Sequence, residues 1–118
     1  MKEFLLIFRR ELTQPESQPS PEQLQAVAKQ WQDWIANLVA QKKFGTVGKR
    51  LGFDGKVVKS NKTVTNGPYV ELKEAVQGYM FVMADSLEEA SELAKGCPIL
   101  TYGGNVEVRP IVSADGKS

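Results

Sequence analysis

The sequence predicts an α+β fold: an antiparallel sheet with two helices on one face and a second copy of the chain on the other. Three observations lead there. Phe4-Leu5-Leu6-Ile7-Phe8 and Tyr79-Met80-Phe81-Val82-Met83-Ala84 are apolar at consecutive positions. A strand sends neighbouring side chains to opposite faces, so both faces of these strands call for cover. Only two stretches carry strong helix patterns, and they alternate with the strands in a simple order.

Residues 3–9 read as the first strand. Residues 13–19 form a polar linker containing Pro15 and Pro19. Ser20-Pro21-Glu22-Gln23 is a helix start: Ser20 caps, Pro21 suits the first helical position, and Gln23 closes a capping box. Leu24, Val27, Ala28, Trp31, Trp34, Ile35 and Leu38 then make one apolar stripe at three- and four-residue spacing. That helix is expected to end between Ala40 and Lys42. Residues 44–59 read as a hairpin turning at Asp54-Gly55, between Arg50-Leu51-Gly52-Phe53 and Lys56-Val57-Val58. Thr65-Asn66-Gly67-Pro68-Tyr69 reads as a loop, and residues 71–76 as a short helical turn. Gly78 opens the second apolar strand. Ser86 caps a second helix with Glu89 as capping-box partner and Leu87, Ala90, Leu93 and Ala94 inward; Gly96 and Pro98 stop it. Gly103-Gly104 leads into Val106-Glu107-Val108-Arg109, an alternating strand ending at Pro110. Residues 1–112 read as one domain and 113–118 as a loose tail.

The order is βαββαβ with an extra β-hairpin arm, the pattern of a ferredoxin-like domain. There the first and third main strands are central, which matches the two doubly apolar runs. The last strand carries Pro110, as an edge can. Right-handed crossovers put both helices on one side. Alternate residues of the two central strands then face outward as an apolar patch, which usually marks an interface. A facing sheet from a second copy would hide it, and the space between two such sheets is a natural ligand pocket.

Composition narrows the function classes. The 118 residues carry a formal net charge of +1, so no global field selects nucleic acid or an anionic membrane. No apolar run approaches a membrane span. The single cysteine, Cys97, forms no internal disulfide, which suits a cytoplasmic protein. The chain has no histidine, which excludes a Ser-His-Asp triad, a Cys-His dyad, a haem-His site and a His-ligated zinc. No Walker loop, GxGxxG or metal-spaced cysteine cluster is present, so neither cofactor nor metal is expected. Catalysis would fall to carboxylates, Lys, Tyr, Asn, Arg or Cys97.

Several segments resemble the YCII-related proteins, in particular their DGPF-type branch. These are Ser20-Pro21-Glu22-Gln23 before a Trp-containing helix, Asn66-Gly67-Pro68-Tyr69 with Lys73-Glu74, and Gly78-Tyr79 entering a strand. Asp85-Ser86-Leu87-Glu88-Glu89-Ala90, Gly96-Cys97-Pro98 and Val106-Glu107-Val108-Arg109-Pro110 complete the ordered set. The resemblance implies a dimeric α/β barrel. It also shows two departures. The Asp-Gly-Pro-Phe that names the branch is Asn66-Gly67-Pro68-Tyr69 here, so a carboxylate becomes a neutral amide. The His-Asp pair of many YCII-type proteins, proposed as catalytic, has no histidine here. Some relatives of this type resemble lactone-processing or dehydrochlorinating enzymes and some occur alongside sigma factors; matched residues carry neither role over.

The candidate ligand-binding residues are Arg9, Asn66, Gly67, Tyr69, Lys73, Tyr79 and Arg109. Gly67 permits close backbone approach, and Asn66 and Tyr69 offer hydrogen bonds; the plainer reading is a turn that Asn-Gly-Pro favours. Arg9, Lys73 and Arg109 suit a carboxylate or phosphate, Arg bidentately; the plainer reading is solvated charge. Glu71, Glu74 and Glu107 are the candidate proton acceptors, and a lone glutamate is more often surface. Trp31 and Trp34 suit packing, as does Tyr79 within the sheet, although Tyr79 and Tyr102 could also reach the pocket. Cys97 lies at a helix C-terminus, which disfavours a thiolate. Seven basic residues against one acid, Asp54, lie in residues 42–62; the reading adopted is a Lys-protected edge rather than nucleic-acid contact.

The expected protein is therefore a cytoplasmic homodimer that binds a small polar or acidic molecule, with no nucleic-acid or membrane partner. Two functional readings stand side by side. One is metal-free isomerase or lyase-type chemistry, with Tyr, Lys or Glu moving a proton and Asn66 or Arg steadying an oxyanion. The other is a non-catalytic module acting on a transcription or signalling partner.

Overall fold

The first strand, β1 (Lys2–Arg9), takes the middle of a three-stranded antiparallel sheet. On one side it pairs with β4 (Val76–Ala84), and on the other with β5 (Asn105–Pro110). The structure, a computed structural model, describes residues 1–10, 20–52, 54–67 and 76–113. The expected linker over 13–19 lies outside them, as do residues 71–75 of the expected helical turn over 71–76 and residues 114–118 of the expected tail over 113–118.

Alternation along β1 divides the sheet into two faces. Phe4, Leu6 and Phe8 are buried with Met80, Val82 and Ala84 of β4, and Val106 and Val108 of β5 pack against them. Helix α1 (Pro21–Ala40) lays Trp34 and Leu38 on this face, and α2 (Leu87–Ala94) adds Ala90 and Ala94. Phe8, Trp31 and Trp34 meet edge to face, with Phe8 and Trp31 centroids 5.2 Å apart. The Trp34 indole N–H donates to the Leu93 carbonyl at 3.2 Å, which ties α1 to α2. Such a buried indole is both core mass and a satisfied donor.

Both serine caps form as the sequence reads, but of the two expected capping boxes only that of Ser20 and Gln23 closes. The Ser20 hydroxyl accepts from the Gln23 N–H at 3.2 Å, and the Gln23 side chain accepts from the Ser20 N–H at 2.8 Å. The Ser86 hydroxyl accepts from the Glu89 N–H at 3.1 Å. Glu89 does not close a box; its carboxylate takes the Lys43 ammonium and the Asp85 N–H. After Pro98 the chain makes a 3-10 helix (Pro98–Tyr102), closed by Gly103 at φ 80°, a conformation that favours glycine.

The second half of the expected hairpin is corrected. Gly55–Val58 forms β2, but its partner is β3 (Val64–Gly67), with Lys56 opposite Asn66 and Val58 opposite Val64. The turn falls at residues 59–63 instead of Asp54-Gly55. There Lys59 and Thr63 are joined through the backbone, Lys62 takes φ 69°, and the Asn61 side chain accepts from the Thr63 N–H and hydroxyl. The expected loop at residues 65–69 is likewise corrected: Thr65, Asn66 and Gly67 are strand. β4 also begins earlier than Gly78, at Val76.

Residues 43–51 run antiparallel along the free side of β4. Phe44 bridges Val82 and Arg50 bridges Gly78. Backbone bonds join Met83 to Lys43, Phe81 to Gly45 and Thr46, Tyr79 to Lys49, and Leu51 to Gln77. Between the bridges the segment gains two residues over β4, so it bulges instead of forming a regular strand. With it four backbone segments lie side by side in ferredoxin-like order: 43–51, β4, β1, β5. Both helices share one face.

Candidate functional site

The face opposite α1 and α2 is built by register. Leu5 stands opposite Phe81 on β4 and Arg109 on β5; Ile7 stands opposite Tyr79 and Glu107. Two rows therefore cross the sheet, Phe81–Leu5–Arg109 and Tyr79–Ile7–Glu107. Leu5, Ile7, Tyr79, Phe81 and Met83 are all half-buried on this face. Tyr79 and Phe81 meet edge to face at 6.1 Å.

A charge cluster borders this apolar strip. Arg9, one step beyond Ile7, donates from Nη1 to Glu107 Oε1. Arg109 donates from Nη1 to Glu107 Oε2 at 3.2 Å. Each oxygen of one carboxylate thus faces a different guanidinium. The Arg9 bond, then the Arg109 bond, hold the Glu107 carboxyl below the ordinary 4.5. A carboxylate so stabilised is a weak base near neutral pH. Its side chain is 37% exposed, against 24% for Arg9 and 64% for Arg109. The cluster is open on the Arg109 side.

The structure brings Arg9, Tyr79 and Arg109 onto one face and puts Asn66 and Gly67 on the separate β2–β3 sheet. Asn66 is exposed and accepts from the Lys56 ammonium at 3.1 Å. Gly67 stands opposite Gly55. Tyr69 and Lys73, with Glu71 and Glu74, lie outside the described residues. Tyr102 lies away from this face: its hydroxyl donates to Gln30 on α1, and the Arg10 guanidinium sits 5.8 Å from its ring centroid. Cys97 is 2% exposed, and burial pushes its thiol up to about 12, so it stays protonated and unreactive.

Sequence reasoning named Arg9 and Arg109 together as anion-holding residues and Glu107 apart from them as a proton acceptor, and missed that the three form one cluster. The signal was the register of β1 with β5, which no local pattern displays. A shallow concavity of about 150 Å³ at the other end of β1, lined by Lys2, Glu3, Phe4, Ser86, Leu87, Pro110 and Ile111, contains none of the candidates. Among the described residues no helix is long and apolar enough to cross a membrane.

No curated protein matches the chain. A family model does: the YCII-related domain matches residues 4–115, nearly the whole length, and the chain belongs to the YCII-related family.

Proposed function

We propose that this protein is a cytoplasmic homodimer of the DGPF-type branch that binds a small acidic molecule between the sheet faces of its two copies that lie opposite α1 and α2. The observation that carries the reading is the Arg9–Glu107–Arg109 cluster beside an apolar strip on a face that, among the described residues, no helix covers. The shape supports a second copy. The chain measures 45 × 40 × 19 Å with a radius of gyration of 16.0 Å, where a compact chain of this length has roughly 13.5 Å. A flat slab with one half-buried apolar face gains by stacking against its like. Binding outweighs catalysis here because Glu107 is held ionised by two arginines and Cys97 is held protonated by burial. Sedimentation velocity tests the reading: the chain runs at twice its own mass, and Ile7→Asp, which puts a charge on the outward face, runs as a folded monomer. A wild-type monomer at high concentration sinks it.

The exposed β2–β3 hairpin supports a second reading, a module that docks an acidic partner. Lys56, Lys59 and Lys62 are exposed along it, and so are Val58 (68%) and Val64 (56%). Under this reading, changing the three lysines to Glu abolishes partner capture and leaves the oligomeric state intact; capture that survives the change removes it.

A further inference from the structure

Resting on the homodimeric binding reading, we infer that Arg109 anchors a monocarboxylate whose apolar, preferably aromatic, body lies across Leu5 and Ile7 toward Tyr79 and Phe81. Three features define this ligand class. First, the cluster holds two guanidiniums and one carboxylate, so its formal charge is one positive. One negative charge neutralises it, and a second finds no partner there. Second, the two arginines are not equivalent. Arg9 is the more buried and is committed to Glu107 Oε1, whereas Arg109 is 64% exposed and gives Glu107 one bond at 3.2 Å. A guanidinium has five donors in a planar fork, so Arg109 keeps its outer edge for an incoming carboxylate, which pairs with such a fork bidentately. Glu107 is a positioning residue: it holds Arg109 over the sheet.

Third, the register sets the size of the body. Phe81, Leu5 and Arg109 lie on three adjacent strands. At about 4.8 Å between strands, the aromatic side of the strip is roughly 10 Å from the anchoring strand. A carboxylate alone on Arg109 makes no contact with Leu5, Ile7 or the edge-to-face Tyr79–Phe81 pair. A carboxylate carried on a short chain with a ring covers them and gains from the apolar contact. Arg109 sits on an edge strand with its side chain largely in water, so it can be changed without opening the core.

The test is an NMR titration of the intact chain with 3-phenylpropanoate, 3-phenylpropanamide and acetate, with sedimentation velocity on the same sample. The acid is expected to shift Tyr79 and Phe81 resonances saturably. The amide and acetate are each expected to bind at least tenfold more weakly. Arg109→Gln is expected to lower affinity for the acid at least tenfold and leave the amide unchanged. Amide equal to acid, acetate equal to acid, or an unchanged Arg109→Gln each overturns the inference. A dimer that takes up no acid overturns it and leaves the homodimer standing. A monomer that takes up the acid removes the homodimer and leaves the anchor standing.

Discussion

Gly48 passes so close to Tyr79 that a Cβ built on it would lie 1.6 Å from the Tyr79 carbonyl oxygen. The obstacle is β4 backbone, which cannot step aside as a side chain can. Gly48→Ala is therefore expected to push residues 43–51 off β4 and break the bond from the Tyr79 N–H to Lys49. The cost is expected at or above the upper end of ordinary overpacking, about 3 kcal/mol. Denaturant unfolding measures the loss, and amide exchange at Tyr79 and Phe81 locates it. An unchanged midpoint would mean the segment does not lie where the structure puts it.

Leu6 and Leu5 are neighbours with opposite surroundings. Leu6 is fully buried between β4, β5 and the helices, and Leu5 is half-buried on the other face. Leu6→Ala is expected to cost about 2–5 kcal/mol through lost contact and an unfilled cavity. Leu5→Ala is expected to cost clearly less in the isolated fold. Equal losses in chemical denaturation would contradict the assignment of faces.

Glu107 and Glu89 both have carboxyls below the ordinary 4.5, Glu107 through Arg9 and then Arg109, Glu89 through Lys43 and then the Asp85 N–H. A carboxyl lowered by folding contributes stability that is present above its unfolded value and lost as pH falls through its folded value. Their contribution is thus intact at pH 5 and above, and declines below about 4.5. No histidine adds a step between pH 5 and 8. Glu107→Gln is expected to shrink the acid-side loss of melting temperature. A melting temperature that falls between pH 7 and 6 as steeply as below 4.5 would rule this account out.

The Cys97 thiol moves the other way, from 9.0 to about 12, because burial disfavours the thiolate. Its contribution to stability is complete below pH 9 and is lost as pH rises toward 12. Native protein at pH 8 is expected to react with iodoacetamide far more slowly than unfolded protein. Comparable rates would show that the site is open.

The core of the fold was legible where a local pattern carried it. Doubly apolar runs marked β1 and β4, Ser20 and Ser86 marked the helix starts, and the alternation after Gly104 marked β5. The hairpin register was not legible. Asp54-Gly55 has the composition of a tight turn, while the actual turn uses Asn61 side-chain bonds and a left-handed lysine, Lys62, which composition does not flag. Residues 43–51 were legible as an extended edge, but not the glycines within it: Gly45 and Gly48 are there because β4 backbone lies against them. The site was legible as residue types and not as a cluster. Arg9 and Glu107 are 98 positions apart, and only strand pairing sets them side by side.

The strand that organises the sheet leaves the ribosome before either of the strands that flank it. β1 spans residues 2–9, and the strands that flank it begin at residues 76 and 105. Until those strands are made, its run of five apolar side chains lacks the cover they give. Pairings this distant form slowly and leave sticky edges waiting. A holding chaperone would therefore find its natural client in Phe4-Leu5-Leu6-Ile7-Phe8.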